Sequence, residues 1–312
     1  MALFSLTSSF HTPHLPKLRH STPPHRLLRV QIRCYTPTSS AMPTTASSTV
    51  QFDLRTYWTA LIEEINQKLD ESIPVSYPER IYEAMRYTAL DKVAKRAPPV
   101  MCITACELLG GHRSAAFRTA CALEMVHAAS LIHDDLPCMD NDQVRRGHAA
   151  NHVVYGEDMA ILAGDALFPL GFSHIVSHTP RELVPETRVL QVIAEIARTV
   201  GSTAVCGGIL AGANDDEIQR LRRYGKAVGV LYQVVDDILK EGAKTENSEG
   251  GTKRRGKSYV SVYGLDKDKE VAEDLRSQAK KELDGFENYG EKVIPLYSFV
   301  DYAADRGFSV GG

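Results

Sequence analysis

The sequence predicts an all-α protein, and three features support that fold class. From Tyr57 onward apolar residues recur at helical spacing, and almost no segment alternates between apolar and polar residues as a strand would. Short clusters of Gly, Pro, Asn and Asp separate the apolar segments. The stretch 115–133 is apolar on most faces, so we expect it to be the central helix of a bundle.

The individual helices follow from apolar spacing and from Pro and Gly as boundary residues. The polar, glycine-rich stretch 241–258 is predicted to be a flexible surface loop. The predicted helices are marked by Leu61, Ile65 and Leu69; by Ile81, Met85 and Leu90; by the range from Pro98–Pro99 to Gly110–Gly111; and by the ranges 157–178, 186–200, 216–240, 267–283 and 293–304.

The charge balance excludes some function classes. The 312 residues carry 36 Lys and Arg against 39 Asp and Glu, a formal net charge of -3. The first 50 residues contain five basic residues and no acid, so the remaining chain carries the acidic excess. A general nucleic-acid binder needs a basic excess, and this chain has none. Since no run of about 18 uninterrupted apolar residues occurs, we expect no transmembrane helix.

Residues 1–50 have the composition of an organellar transit peptide. They contain 16 Ser and Thr residues, several prolines and scattered Arg, without a continuous apolar stretch. The excess of Ser, Thr and Pro over Arg favours the chloroplast, with cleavage near Arg33–Cys34, although a disordered tail is the alternative. We therefore expect the folded domain to span residues 51–312. The six cysteines form no CxxC pair and no secreted disulfide framework.

The first acidic cluster ends the most apolar helix. Asp134 and Asp135 come at the end of that helix, and Asp140 follows five residues later. In a straight helix Asp134 and Asp140 would lie about 9 Å apart on different faces. Pro137 must break the helix, so Asp140 can return beside Asp134. Such carboxylates suit Mg²⁺, which fills its remaining positions with water and phosphate oxygens.

Arg145 and Arg146 follow the acids, and guanidinium groups bind phosphate in a bidentate manner. Acids and arginines at the end of an apolar bundle predict a site for an apolar molecule with a diphosphate head; a solvated, charged helix end is the alternative. A second acidic pair, Asp236-Asp237, is followed by Lys240 on the same helix face as Asp236. The lysine should weaken any metal site there.

These motifs resemble those of the plant trans-prenyl diphosphate synthases, the geranylgeranyl diphosphate synthase group. The resemblance rests on IHDDLPCMDND followed by VRRG, on GDALFPLGF and on LYQVVDDIL, and it extends from about Phe52 to the C-terminus. It implies an all-α isoprenoid-synthase-type bundle around a central cavity. It further implies Mg²⁺-dependent condensation of isopentenyl diphosphate with an allylic diphosphate, in which apolar walls shelter the carbocation from water.

The resemblance also assigns roles to individual residues. Asp134 and Asp140 match the metal-binding acids of the family, and Arg145 and Arg146 match its diphosphate-contacting arginines. Lys95 and His127 match the contacts to isopentenyl diphosphate, and Gln233 matches the glutamine before the second motif. Asp135 and Asp236 complete the candidate catalytic acids.

Three departures from the family pattern indicate weakened catalysis. Pro98 stands where catalytic members have an arginine that contacts diphosphate, and Lys240 replaces the last acid of the second motif. The segment with a Gly-Gln pair and a Lys-Thr pair is missing between Ala197 and Thr203, so the domain is shortened near residue 202. An incomplete gene sequence would leave the same gap.

These losses resemble those of the small subunits of heterodimeric geranyl and geranylgeranyl diphosphate synthases. That group has CxxxC motifs implicated in pairing with the catalytic subunit. Cys102 and Cys106 supply one motif, and Cys206 remains from the second, where Ser202 stands in the first cysteine position. Two buried core cysteines are the alternative interpretation of Cys102 and Cys106.

The leading hypothesis is a plastid regulatory small subunit that pairs with a catalytic geranylgeranyl diphosphate synthase. A self-sufficient, Mg²⁺-dependent prenyltransferase is the alternative. A terpene cyclase is disfavoured by Arg146 and by the Lys95 and His127 pair, because cyclases need no isopentenyl site. A di-iron site at Glu124-x-x-His127 would need a second copy of this motif, and the sequence has none.

Overall fold

The computed structural model describes residues 52–198, 202–246 and 264–306, and the side chains of residues 240–246 lie outside that description. Within these ranges the chain is almost entirely helical. Its strands form one short antiparallel hairpin, with Val144 opposite Ala149 and Arg145 opposite His148. The all-α prediction is confirmed. The predicted transit peptide and its cleavage site lie outside the described residues.

The elements follow one another in chain order with short connections. They are α1 Leu54–Ser72, α2 Glu79–Ala89, α3 Ala97–Leu108, α4 Arg113–Asp134, β1 Val144–Arg145, β2 His148–Ala149, α5 Asn151–Tyr155, α6 Glu157–His178, α7 Glu186–Arg198, α8 Thr203–Ala211, α9 Asp215–Glu246, α10 Leu265–Leu283, a 3-10 segment Asp284–Val293 and α11 Ile294–Asp305.

Most predicted helix boundaries agree with the structure to within two residues. The sequence analysis missed α5, α8 and the 3-10 segment, which are short or lack a clear apolar period. The predicted loop 241–258 is wrong for its first six residues, because α9 continues to Glu246. A single glycine, Gly242, does not end a long helix. Residues 247–258 lie outside the described chain.

Helix α4 is the central helix, as its composition predicts. It packs against α1, α2, α3, α6 and α8. Alanines at the contacts, including Ala116, Ala120 and Ala129, are fully buried and let neighbouring helices approach closely. Because α4 carries Asp134 and Asp135 at its end, the packing of this helix fixes the first acidic cluster.

The N-terminal and C-terminal helices pack together at one side of the bundle. The Trp58 ring of α1 lies 4.4 Å from the Phe299 ring and 5.0 Å from the Tyr302 ring, both on α11. The Trp58 indole donates a hydrogen bond of 2.7 Å to the carbonyl of Lys95, just before α3. These contacts hold the start of α3 against α11.

Two helices, α4 and α6, are long and apolar enough to cross a membrane by length and composition alone. In α4, 78% of the most apolar stretch is buried inside the fold, as expected of a core helix. In α6 only 39% of the corresponding stretch is buried. Part of the apolar surface of α6 therefore faces outward.

Candidate functional site

The acidic loop after α4 folds back on itself. The backbone amide of Asp140 donates a 2.9 Å hydrogen bond to the carbonyl of Asp134, and the amide of Asn141 donates to Leu136 at 3.0 Å. The Asp134 side chain is buried, whereas Asp140 is exposed. The prediction that the chain returns Asp140 to Asp134 after Pro137 is confirmed for the backbone.

Asp134 and Asp140 provide two carboxylates at one end of the bundle, which fits the one or two that Mg²⁺ takes from protein. Across residues 52–198, 202–246 and 264–306, however, no three His, Cys, Asp or Glu side chains converge closely enough to hold a metal without further ligands. This donor set therefore suits an ion that completes its coordination with water and phosphate oxygens.

Asp135 and Arg145 are paired with each other. The Arg145 Nε lies 3.0 and 3.1 Å from the two carboxylate oxygens of Asp135, and its Nη2 also contacts Asp135 and, at 3.2 Å, Asp142. Burial raises the pKa of Asp135, and Arg145 offsets part of that increase. Asp135 therefore fixes the Arg145 guanidinium at the hairpin.

His127 and Arg146 lie near a buried ion pair. Arg146, which has a positive φ of 54°, is half-buried and lies 3.8 Å from Asp91. Burial lowers the pKa of the half-buried His127; Glu124 opposes this shift and Arg146 adds to it. Since a pKa below its usual value leaves the imidazole neutral at neutral pH, His127 can donate only one hydrogen bond to a phosphate.

The buried ion pair itself joins Arg96 and Glu124 at 2.6 Å. Arg96 also donates to the carbonyls of Ala89 and Asp91 and to the amide oxygen of Asn66. The buried Glu124 carboxylate neutralises the Arg96 charge, so its burial needs no di-iron site. The sequence analysis did not assign a role to Arg96, and its only signal was its position between Lys95 and Pro98.

The second acidic pair lies in the C-terminal half of α9. Gln233 and Asp236 are half-buried and Asp237 is buried. The pKa of Asp268, on α10, is raised mainly by burial, and the negative charge of the nearby Asp237 raises it further. The side chain of Lys240 lies outside the described residues, so its predicted effect on metal binding stays a prediction.

The candidate partner cysteines are internal. Cys102, Cys106 and Cys206 are all fully buried, between α3 and α8. Gly207 allows this packing, because a Cβ there would collide with the backbone oxygen of Cys102. Burial raises the pKa of the Cys106 thiol to about 12, so the thiol stays protonated. Their contacts in the described chain are therefore contacts within one subunit.

Two surface cavities of the described chain differ in their place relative to the acidic loop, since only one of them touches it. One, of about 400 Å³, lies between the end of α2 and the hairpin and is lined in part by Asp135, Arg145 and His148. The other, of about 440 Å³, lies between α7, α8 and α9 and is lined in part by Arg188 and Arg222. Both are open to solvent.

Comparisons with known proteins agree with these features. The family "Polyprenyl synthetase" matches residues 78–205. The small subunit of a chloroplastic heterodimeric geranylgeranyl pyrophosphate synthase from Arabidopsis thaliana is 55% identical, covering 94% of this chain and 94% of that protein. Large subunit 1 of the heterodimeric synthase from the same plant is 40% identical, covering 82% and 80%.

Among solved structures, an FPP/GFPP synthase from Zymomonas mobilis is similar, with a TM-score of 0.67 and 28% identity. It covers 80% of this chain, and the match takes in 98% of that structure.

Proposed function

The chain belongs to the polyprenyl synthetase family, and we propose that it is the regulatory small subunit of a heterodimeric geranyl or geranylgeranyl diphosphate synthase. It binds a catalytic large subunit and changes the rate or the product length of that subunit. The observation that carries this proposal is the outward apolar side of α6, whose most apolar stretch is only 39% buried within the described fold.

Three apolar residues of α6 face outward on one side of the helix. Leu162, Pro169 and Val176 are spaced seven residues apart, so they share one side of the helix, and all three are exposed. Leu162 is 51% and Val176 is 54% exposed. The exposed Asp165 and Ser173 interrupt this side of the helix, and the exposed apolar residues on it are those that association would bury.

The large subunit is the occupant that we propose for this face. A relative that is itself such a subunit is 40% identical over 82% of this chain, so it should present a corresponding helix. Two related subunits pair most simply when the same face of each meets the other, as in a two-fold dimer. An α6-to-α6 contact follows from that symmetry.

Three departures from the catalytic pattern support a regulatory role. Pro98 provides no guanidinium for diphosphate, and Lys240 provides no carboxylate. Relative to the family pattern, the chain also lacks the segment with the Gly-Gln and Lys-Thr pairs near residue 202. The alignment with the small-subunit relative spans 329 positions, more than the 312 residues of this chain, which supports a segment missing from it.

The first motif keeps the residues needed to hold a diphosphate substrate. The polyprenyl synthetase family is generally Mg²⁺-dependent, and Asp134 and Asp140 would hold the ion in this chain. Bound Mg²⁺ would neutralise the charge of a departing diphosphate. Lys95, His127 and Arg146 would orient isopentenyl diphosphate. Arg145, held by Asp135, would contact the allylic diphosphate from the hairpin.

Residues 1–50 direct the chain to the plastid and are removed there. This proposal rests on their acid-free, Ser- and Thr-rich composition and on relatives that are described as chloroplastic. The buried cysteines then act on pairing indirectly: Cys102, Cys106 and Cys206 set the distance between α3 and α8, and a partner responds to the shape of that packing.

The self-sufficient prenyltransferase is the second candidate. It is favoured by the Asp134 and Asp140 loop, which folds back as a metal site requires. The two candidates differ in one measurable property. A small subunit alone gives little product from isopentenyl and allylic diphosphates, whereas a self-sufficient enzyme turns them over without a partner and loses that turnover in Asp134→Ala.

The test combines co-purification with product assay. The full chain is expressed alone and with a plant catalytic large subunit, and the mixture is separated by size exclusion after capture through a tag on one subunit. We expect a 1:1 complex whose rate or product length differs from that of the large subunit alone. Robust turnover by the lone chain, or failure to form the complex, would contradict the proposal.

Two matched variants test the interface. Leu162→Arg introduces a charge into the α6 face and should abolish complex formation. Leu190→Arg changes a leucine that is 66% exposed on a different helix, α7, and should leave the complex intact. Circular dichroism of both variants confirms that each chain is folded.

A further inference from the structure

The side chain of His133 lies against α6. His133 is in the last turn of α4, directly before Asp134, and its side chain is half-buried. Its Nε2 lies 3.2 Å from the backbone oxygen of Ile161 on α6. Because a carbonyl oxygen only accepts hydrogen bonds, Nε2 carries the hydrogen and donates it. The exposed Asp165 carboxylate lies 3.8 Å from the same nitrogen, a contact that contributes little.

Gly164 makes room for the His133 ring on α6. A Cβ at Gly164 would collide with Nε2, Cδ2 and Cε1 of that ring, which form the edge that reaches Ile161. Gly164 lies within a regular helix, where glycine is less favourable than alanine. The space that the missing side chain leaves for His133 is therefore what this glycine provides.

The backbone of His133 takes part in the turn that ends α4. Its carbonyl accepts a 3.2 Å hydrogen bond from the amide of Leu136, where the chain leaves the helix. The next carbonyl, that of Asp134, accepts the amide of Asp140 at 2.9 Å. The buried Asp134 side chain therefore extends from a turn that His133 ties to α6 and that the acidic loop closes.

The end of α4 needs an external contact of this kind. The last carbonyls of a helix have no partner inside it, so a terminal turn is held less firmly than the middle of the helix. Mg²⁺ demands near-ideal octahedral geometry and therefore a carboxylate in a fixed place. Groups that orient a metal ligand typically contribute roughly 10- to 100-fold to metal affinity. The contact of His133 with α6 gives Asp134 such a support.

We propose that His133 is a positioning residue that fixes Asp134 for Mg²⁺, and that α6 holds it through the Ile161 carbonyl and the space at Gly164. This inference rests on the proposed function only in assigning Mg²⁺ to the first acidic cluster. Helix α6 then has two roles. Gly164 and Leu162 lie roughly 200° apart around it, so one side orients the acidic cluster and the opposite side faces the partner.

The test measures Mg²⁺ affinity and stability separately. Mg²⁺ is titrated calorimetrically into the full chain in the presence of inorganic pyrophosphate, and urea unfolding is followed by circular dichroism. Gly164→Ala fills the space of the His133 ring, which can turn toward solvent, so Mg²⁺ affinity should fall roughly tenfold while the urea midpoint changes little. Gly171→Ala is the matched control on the same side of α6. Its added Cβ lies 3.4–3.5 Å from its nearest neighbours, so Mg²⁺ affinity should stay unchanged.

Substitutions of His133 separate its hydrogen bond from its volume. His133→Gln keeps a side-chain N–H donor and should retain most of the Mg²⁺ affinity, whereas His133→Leu fills similar space without a donor and should lose roughly tenfold. In the double variant of His133→Leu and Gly164→Ala the two losses should not add, because each removes the same contact. If Gly164→Ala melts early, the comparison of His133→Gln with His133→Leu decides the role.

The outcomes separate this inference from the proposed function, because the lone chain is measured. Unchanged Mg²⁺ affinity in a folded His133→Leu chain, or no Mg²⁺ binding by the wild type, overturns the positioning role even if the heterodimer forms. Affinity that falls only together with the urea midpoint, or losses that add fully in the double variant, also overturn it. A shared loss at unchanged stability, recovered in His133→Gln, supports it even if the heterodimer fails to form.

Discussion

Arg96 and Glu124 form a 2.6 Å ion pair in which each side chain is only 1% exposed. The pair joins the start of α3 to the middle of α4, and Arg96 has a positive φ of 53° at the cap of α3. Because Lys95 precedes Arg96, this buried pair fixes the backbone from which a proposed diphosphate ligand extends.

Removal of one partner should therefore be costly. Glu124→Gln leaves the Arg96 charge buried without a counter-ion, and we expect a loss of about 3–5 kcal/mol in the free energy of unfolding. Urea unfolding followed by circular dichroism measures it. The control is Glu270→Gln, which breaks the exposed Lys267–Glu270 pair and should leave the midpoint unchanged. Equal midpoints for the two variants would contradict the role of the buried pair.

The Asp134 and Asp140 loop predicts where Mg²⁺ binds. Asp140→Asn keeps the backbone hydrogen bond to Asp134 but removes a negative charge, and we expect roughly a tenfold or larger loss of Mg²⁺ affinity. Titration of Mg²⁺ in the presence of pyrophosphate, followed by the rise in melting temperature, measures that affinity. Asp142→Asn, in the same loop, should change it less, since Asp142 contacts Arg145 instead. A larger loss of Mg²⁺ affinity in Asp142→Asn than in Asp140→Asn would contradict the assignment of Asp140 as a metal ligand.

The sequence was sufficient for the architecture because local signals determine it. The apolar stretch 115–133 predicted the central helix, and Pro137 predicted the return of the loop, since a proline cannot continue a helix. The extension of α9 to Glu246 was missed, because a glycine within a long helix has only a modest cost that the sequence pattern overstates.

The site was less predictable, because its contacts join residues far apart in the chain. The Arg96–Glu124 pair spans 28 residues, and the Lys95 and Tyr232 contact spans 137. Arg145 was correctly placed beside the acids, but its pairing with Asp135 depends on the hairpin, which is too short to have a sequence signature. For the cysteines, spacing alone did not distinguish an interface from a core, and the helix packing buries them.

His174 predicts a pH dependence of stability. It is buried on α6, where its Nε2 lies 3.1 Å from the Ser72 hydroxyl and its ring stacks on His178 at 4.8 Å. Burial lowers its pKa to about 4, with smaller contributions from His178 and Arg118. The unfolded chain protonates His174 near pH 6.5 while the folded chain does not, so stability falls as the pH drops from about 6.5 to 4.

The contribution of His174 to this loss should reach about 3 kcal/mol at pH 4. His174→Gln should therefore show a flatter decline of the urea midpoint over this range, and His148→Gln, an exposed histidine in the hairpin, should follow the wild type. Parallel declines in the wild type and in His174→Gln would show that His174 is protonated in the fold.

Gly207 predicts how tightly α3 and α8 must pack. A Cβ at this position would collide with the backbone oxygen of Cys102 and lie 2.9 Å from the amide of Cys106, so Gly207→Ala must push the helices apart. We expect a loss of about 1–3 kcal/mol in the free energy of unfolding. In Gly171→Ala, at a glycine of α6 whose nearest neighbours are 3.4–3.5 Å from an added Cβ, stability should stay level or rise by up to about 1 kcal/mol.

The same pair of variants tests whether α3 and α8 packing reaches the partner. If the buried cysteines act on pairing through this packing, Gly207→Ala should weaken the complex with the large subunit at a temperature where the lone chain is still folded. Size exclusion at several protein concentrations measures the dissociation constant. Because Gly171 faces Ala122 inside the subunit, Gly171→Ala should leave that constant unchanged. A Gly207→Ala chain that is destabilised yet pairs normally would confine Cys102, Cys106 and Cys206 to the core of one subunit.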